Sequence, residues 1–325
     1  MKKQYRNILI LVCILAVALI FELIYYHWFL GYKEPIRQVS LIVYGSDASR
    51  WENLKQGAEL AAQDLNAEVT LITMSSENDA KEQISLIRRE IANGADALLI
   101  AACDSVMIGA FLEKHPIRVP YAFVETGPDR QEGAHLYAAD DAEMAETLLA
   151  TIAANEKSWI KAAVIADHVE RKSVKNRLDT ILNSDIQYAD EVVTWEKNEQ
   201  EKDTKSQFFL QRKLTEEAVD VVIALDNSSM GELLDATVNL NKDIKIYGIA
   251  DSAKSVYYLD NGLIKSLIFQ DEFSAGYLAL QDILQQEKRS GRQNRNEQKS
   301  VRFEKVNHNN MYDDKYQKLI FPHVR

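Results

Sequence analysis

From residue 39 onward the chain alternates short apolar runs with amphipathic helical patterns, and that alternation leaves few folds open. Residues 39–66 set the theme. A mostly apolar run, 39–44, is followed by a polar turn, 45–49. Apolar or small residues then recur at Trp51, Leu54, Ala58, Ala61, Ala62 and Leu65. The run suits a buried strand, and the later spacing marks one face of a 3.6-residue helix. Ser49 and Glu52 stand at capping-box spacing, which predicts a helix start near Arg50. Strand, loop and helix make the first half of a parallel βαβ unit. The same unit recurs, with strands at 68–74, 97–102 and 119–124 and helices at 79–93 and 106–115. A Gly-, Pro- and Asp-rich break follows at 125–135, then a short strand at 136–139 and a helix at 141–155. A second series has strands at 162–165, 192–195, 221–225, 244–249 and 264–269. Helices at 173–182, 208–217, 230–240, 253–261 and 272–286 separate and follow them. Residues 287–299 read as a polar surface connection, 301–306 as a last strand, and the apolar patch 319–322 as a segment docked on the body. Such alternation predicts an α/β protein of two doubly wound parallel-sheet lobes.

Length permits this, since 325 residues can fill two separate cores. The net charge is −11, and residues 37 and below hold five basic and two acidic residues, so the remainder is more acidic still. A nucleic-acid-binding face needs positive charge, and this balance argues against one. Cys13 and Cys103 lie in different apolar runs with no metal-ligand spacing around them. The six histidines are scattered, and no Gly-x-Ser-x-Gly, His-Glu-x-x-His or phosphate-loop motif occurs, so nothing points to an enzyme.

Residues 8–21 are an uninterrupted apolar run, and apolar character resumes after Glu22 with Tyr25, Tyr26, Trp28 and Phe29, in the manner of an interfacial belt. No small-x-small cleavage site follows the run. Residues 1–35 are therefore expected to be a cytoplasmic N-terminus, a single transmembrane helix and a linker. Lys2, Lys3 and Arg6 hold the N-terminus inside, and the rest of the chain lies outside the cell membrane. A cleaved signal peptide is the alternative. The linker 31–37 spans at most about 25 Å when extended.

The order of elements resembles the type I periplasmic binding proteins of the ribose and galactose class, whose ligand-binding fold is shared with LacI-type repressors. The local matches are Trp51 followed by Gly57-Ala58, Ala95-Asp96-Ala97-Leu98-Leu99-Ile100 after Gly94, Ala224-Leu225-Asp226-Asn227, and Asp260-Asn261-Gly262 leading to Gln270. The resemblance covers about residues 36–325. It implies lobe one at about 36–139 plus 271–290, and lobe two at about 141–269 plus 299–325. Three crossings between them are implied near 139–141, 269–271 and 286–300. It further implies a ligand in the cleft, closure about the crossings, and no cofactor. A membrane anchor stands where the repressors carry a helix-turn-helix.

The same resemblance supplies candidate ligand residues. Trp51 reads either as a platform for a sugar ring or as core at the helix start. Asp47 and Arg50 flank it and offer paired hydrogen bonds to hydroxyls, or are solvated loop charges. Glu125 follows the fourth strand, with Thr126 where the family has Arg. Asp141 opens lobe two and could equally cap its helix. Arg177 matches the family's ligand arginine, or is a surface helix residue. Asp226 and Asn227 end a strand, where open sheets bind ligands. Asp251 stands beside Ala250, where the family has Asp, and Gln270 could bond ligand or backbone. Arg50 replaces one of the usual paired aromatics. These departures permit an acidic or non-sugar ligand. The expected function is an anchored extracytoplasmic solute-binding protein for a small polar ligand, a sugar above all. It would serve an ABC permease or a membrane sensor histidine kinase. A degenerate, non-binding module is the alternative.

Overall fold

The computed structural model describes residues 2–26, 35–128, 134–156, 160–184, 189–198, 200–201, 204–237, 240, 242, 244–286 and 298–320. The chain divides into two compact units, Met1–Ile36 and Arg37–Arg325. In the first, helix α1 (Lys2–Tyr25) carries exposed Leu11, Ile14, Leu15, Leu19, Phe21 and Leu23 side chains. Among the described residues no helix is long and apolar enough to cross a membrane. The side chains of Ile8 and Leu9, the flanking Trp28 and Phe29, and linker residues 31–34 lie outside that description.

The second unit holds two six-stranded sheets. Strands β1 (Arg37–Val43), β2 (Ala67–Thr73), β3 (Ala97–Ile100), β4 (Tyr121–Val124), β5 (Leu136–Ala138) and β11 (Gln298–Ser300) form the first, in the order β11-β5-β4-β3-β1-β2. Strands β6 (Ile160–Ile165), β7 (Ala189–Trp195), β8 (Val221–Ala224), β9 (Lys245–Ile249), β10 (Ile264–Gln270) and β12 (Phe303–Val306) form the second, ordered β12-β10-β9-β8-β6-β7. All pairs are parallel except β10 with β12. Parallel sheets are buried on both faces, and the strands show why. In β6, Ala162 and Val164 join the core under helices α5 (Asp141–Asn155) and α6 (Lys172–Asn183). Ala163 and Ile165 join the opposite core, with Phe209 of α7 (Ser206–Glu216), Met230 of α8 (Asn227–Thr237) and Leu259 of α9 (Ala253–Asp260).

In the first lobe, α2 (Glu52–Asp64) and α10 (Glu272–Gln286) pack together, with α3 (Ala80–Ala92) and α4 (Ser105–Lys114) completing it. Two glycines set the α2–α10 distance. A Cβ on Gly57 would lie 1.9 Å from the Phe273 carbonyl oxygen, and one on Gly276 would lie 2.1 Å from that of Leu54. Gln83 of α3 is fully buried and ties the helix to the end of β3. Its Nε2 donates to the Ala101 carbonyl at 2.8 Å, and its Oε1 accepts from Cys103 N at 3.0 Å. Gln83→Leu leaves both backbone groups buried and unpaired. It is expected to lower stability by about 2–4 kcal/mol in denaturant titration; a loss under about 0.5 kcal/mol would show that water replaces both bonds.

Two expectations change. The helix after β1 is not opened by a Ser49/Glu52 box. Asp47 caps a 3-10 turn, Ala48–Trp51, accepting from Ser49 N at 2.9 Å, and α2 follows from Glu52, whose carboxylate instead holds Gln56. The polar stretch expected to run to 299 ends in a strand, since β11 pairs with β5, so the third passage between sheets lies at 301–302. The apolar patch docks as expected, through a helix, α11 (Asp314–Ile320), with Leu319 and Ile320 in the second lobe's core. Phe321 and Pro322 lie outside the described residues.

Candidate functional site

The passages between lobes follow β5 and β10 and precede β12, and they bond to one another. Gln270 Oε1 accepts from Ala139 N at 3.0 Å, and Asp271 N donates to the Arg302 carbonyl at 3.1 Å. Gln270 thus spends one end of its amide on the hinge. Beside this hinge the carboxyl ends of the strands from both sheets face a cleft, the place where open parallel sheets take ligands. The cleft there is narrow, about 10 Å³, and is lined by Glu125, Arg177, Asp226, Asn227, Asp251 and Glu272 over an apolar floor that includes Ile249 and Ile268.

Glu125 ends β4 with φ of +62°, a left-handed conformation rare outside glycine. The turn brings its carboxylate to Tyr44 Oη (2.8 Å) and Arg50 (2.7 Å). Arg50 reaches on to Glu272 at 2.8 Å. Its guanidinium lies 3.7 Å above the Trp51 ring, while Trp51 itself is fully buried, bonds the Tyr44 carbonyl through Nε1, and meets Tyr44 edge-on. Trp51 is therefore the bed for Arg50 and not an open platform. The guanidinium covers the face a sugar ring needs, because a planar cation stacks on an indole and keeps its edge donors for carboxylates. Asp47, expected in the cleft, is an exposed cap.

On the other lobe, Arg177 donates to Asp141 (2.9 Å) and to the Leu225 carbonyl (2.8 Å), so it is a buried residue and not a surface one. The cap of α5 is Asp140, one residue before Asp141, which leaves Asp141 free for Arg177. Asp226 Oδ1 caps α8 through Ser229 N. Its Oδ2 lies 3.0 Å from Arg171, in ion-pair contact without hydrogen-bond alignment. Asn227 holds Asp251 at 2.6 Å and accepts from the backbone of Asp251 and Ser252 at 2.9 Å. Sequence reading missed Tyr44, Arg171 and Glu272. Tyr44, directly after β1, and Glu272, two places after Gln270, were within reach of the strand-end rule. Arg171, fully buried over the Tyr44 ring at 4.1 Å, joins the lobes, as do Glu77 with Ser228 (2.9 Å) and Asn78 with His168 (3.1 Å).

Burial and charge set the protonation of this network. Burial pushes the Asp226 carboxyl up, but Arg171 and His168 outweigh it and hold it at about 2. Burial pushes Asp251 up to about 6 against the pull of Arg50. Glu272 is driven well above the carboxylate range by burial, with Arg50 opposing and Asp251 adding. A carboxyl raised in the folded state binds its proton more tightly there. Its stabilisation is complete below the unfolded value of about 4 and is lost as pH rises through about 6. Asp226 acts oppositely, but only below about pH 4. The Tm is thus expected to be higher at pH 5 than at pH 7.5, and Asp251→Asn should reduce the difference; a parent profile flat over that range would contradict the Asp251 assignment.

For metals, the described residues bring Asp167, His168 and Glu232 within 4.8 Å of one another. They come from two separate segments, which sequence spacing cannot reveal. Lys197 lies 3.2 Å from Asp167 and already neutralises it.

Two lobes joined by three crossings, with a charged cleft at the strand ends, define a bilobal α/β protein. The chain belongs to the periplasmic binding protein domain family, whose profile matches residues 39–290, and its fold is that of the type I periplasmic binding proteins. Among curated protein sequences none matches. A carbohydrate-transporter solute-binding protein from Agrobacterium radiobacter, in complex with D-arabinose, is 19% identical with a TM-score of 0.72, covering 89% of this chain and 100% of that one. A solute-binding protein from Agrobacterium vitis with bound D-fucose is 12% identical with a TM-score of 0.73, covering 87% and 100%. A chain of the XylFII–LytSN complex is 14% identical with a TM-score of 0.66, covering 85% and 99%. At these identities the likeness establishes the fold.

Proposed function

We propose that this protein is a membrane-anchored extracytoplasmic receptor for a small polyhydroxylated ligand, of the sugar class, acting through a membrane partner. The observation that carries the reading is the cleft lining. Carboxylates from both lobes and an arginine converge on one cleft at the strand ends, over an apolar floor. Hydroxyl pairs are well matched by groups with two acceptors or two donors in a plane. D-Arabinose and D-fucose in the two Agrobacterium relatives support the class. A Tm screen of the full-length chain in detergent against aldopentoses and aldohexoses tests it, because a ligand at 100 times its Kd stabilises the native state by about 2.7 kcal/mol. A panel without any shift would leave the degenerate module, which the Arg50 cover over Trp51 favours.

The exposed apolar side chains of α1 support the anchor. Intact mass of the protein extracted from membranes is expected to include residues 8–30; a mature chain beginning near residue 31–36 would replace the anchor with a signal peptide. A tether this short keeps the receptor at the membrane face, so the partner reads the lobes there, as a permease or a sensor histidine kinase. The XylFII–LytSN complex, one chain of which this protein resembles, supports action through a second protein. In-membrane crosslinking with and without ligand separates the two.

A further inference from the structure

The charges in the cleft do not balance. Arg177 pairs with Asp141 and Arg171 with Asp226. Arg50 is divided between Glu125 and Glu272. Among the described residues this leaves two carboxyl groups in excess, and Asp251 and Glu272 are where the excess falls. They are only 5% and 3% exposed. Glu272 Oε2 is buried and has no hydrogen-bond partner, although the residue lines the cleft. Asp251 has Asn227 as its side-chain donor. The two come from opposite lobes, Asp251 two residues after β9 and Glu272 at the start of α10.

Resting on the reading of this cleft as a sugar-class site, we propose that its ligand carries a protonated amine seated between Asp251 and Glu272. A buried charge is costly unless paired, so a cation in that place favours the ionised form of both surplus carboxyls, including Glu272, which burial otherwise pushes toward its protonated form. An ammonium brings one positive charge and three donors, enough to serve both carboxylates at once. A neutral hydroxyl donates a single proton and leaves the charge uncorrected. An acidic ligand adds to the excess, which sets aside the acidic alternative allowed by the sequence. Because the two carboxylates sit on different lobes, the amine also draws the lobes together, linking ligand charge to closure.

Calorimetric titration of the full-length protein in detergent at pH 7.5, with D-glucosamine and D-galactosamine against D-glucose and D-galactose, tests the proposal. The amino sugars are expected to bind at least tenfold more tightly than their neutral parents. Glu272→Gln should narrow that preference below threefold. A neutral parent that binds as tightly as its amino counterpart, or a preference untouched by Glu272→Gln, overturns the proposal and leaves the sugar-binding reading standing. Failure of all four sugars together with the neutral panel above removes both.

Discussion

Arg50→Met is expected to destabilise the Arg37–Arg325 unit by about 3–5 kcal/mol at pH 7.5, the range for removing one partner of a buried ion pair. Among the described residues Arg50 is the guanidinium shared by Glu125 and Glu272, and its side chain is 8% exposed against 5% and 2% for theirs. Methionine keeps the stem and can still lie on Trp51, so the packing loss is small and the stranded carboxylates dominate. Their escape is protonation. Glu272 already sits well above the usual range through burial, and without Arg50 it rises further. In the variant the proton is bound more tightly in the folded state, so the deficit should shrink as pH falls toward 5. Chemical denaturation of parent and variant at pH 7.5 and pH 5 measures both quantities. A deficit under about 1 kcal/mol at pH 7.5, or one that grows on acidification, would mean that the pair is not what holds these carboxylates in the cleft.

The second large effect concerns Gly57→Ala. Replacing a helical glycine by alanine on an open face gains up to about 1 kcal/mol from helix propensity. At Gly57 the new methyl would lie 1.9 Å from a backbone oxygen of Phe273, where real contacts stay at 3.0 Å or more, so α2 and α10 must part. Overpacking of this kind costs about 1–3 kcal/mol, sometimes more, and here the obstacle is a backbone that cannot change rotamer. The net expectation is a loss of about 2–3 kcal/mol, or roughly 5–10 °C in Tm for a unit of this size. Gly231→Ala supplies the control. It lies inside α8 with nothing within 4 Å of the added carbon, and it should stabilise by about 0.5–1 kcal/mol. If Gly57→Ala and Gly231→Ala shift Tm in the same direction, close helix packing is not the role of Gly57.

The architecture was readable because parallel strands buried on both faces are continuous apolar runs, while their helices carry a 3.6-residue stripe; 97–102 and 221–225 against 79–93 show both. Candidates taken from strand ends, such as Asp226, Asn227 and Asp251, meet at one cleft because topology places all strand ends there. What sequence could not carry was orientation. Trp51 and Arg50 are adjacent, and nothing in their order says that the cation lies on the ring. Arg171 enters from the loop after β6 and reaches Tyr44 of the other lobe, a contact between residues 127 apart in the chain. β11 went unseen because Gln298, Lys299 and Ser300 are exposed on an edge, and an edge strand of polar residues has no apolar period to detect.

The threading of the chain has a consequence for its synthesis. The first sheet is built from residues 37–138 but closed at its edge by 298–300, and its helix α2 is covered by α10 from 272–286. The second sheet is likewise finished only by 303–306. Neither lobe is a contiguous piece of chain, so a ribosome must read past residue 300 before either can be completed. A stop codon anywhere from 140 to 297 therefore yields no finished half, and the two lobes reach their native state within a few residues of each other.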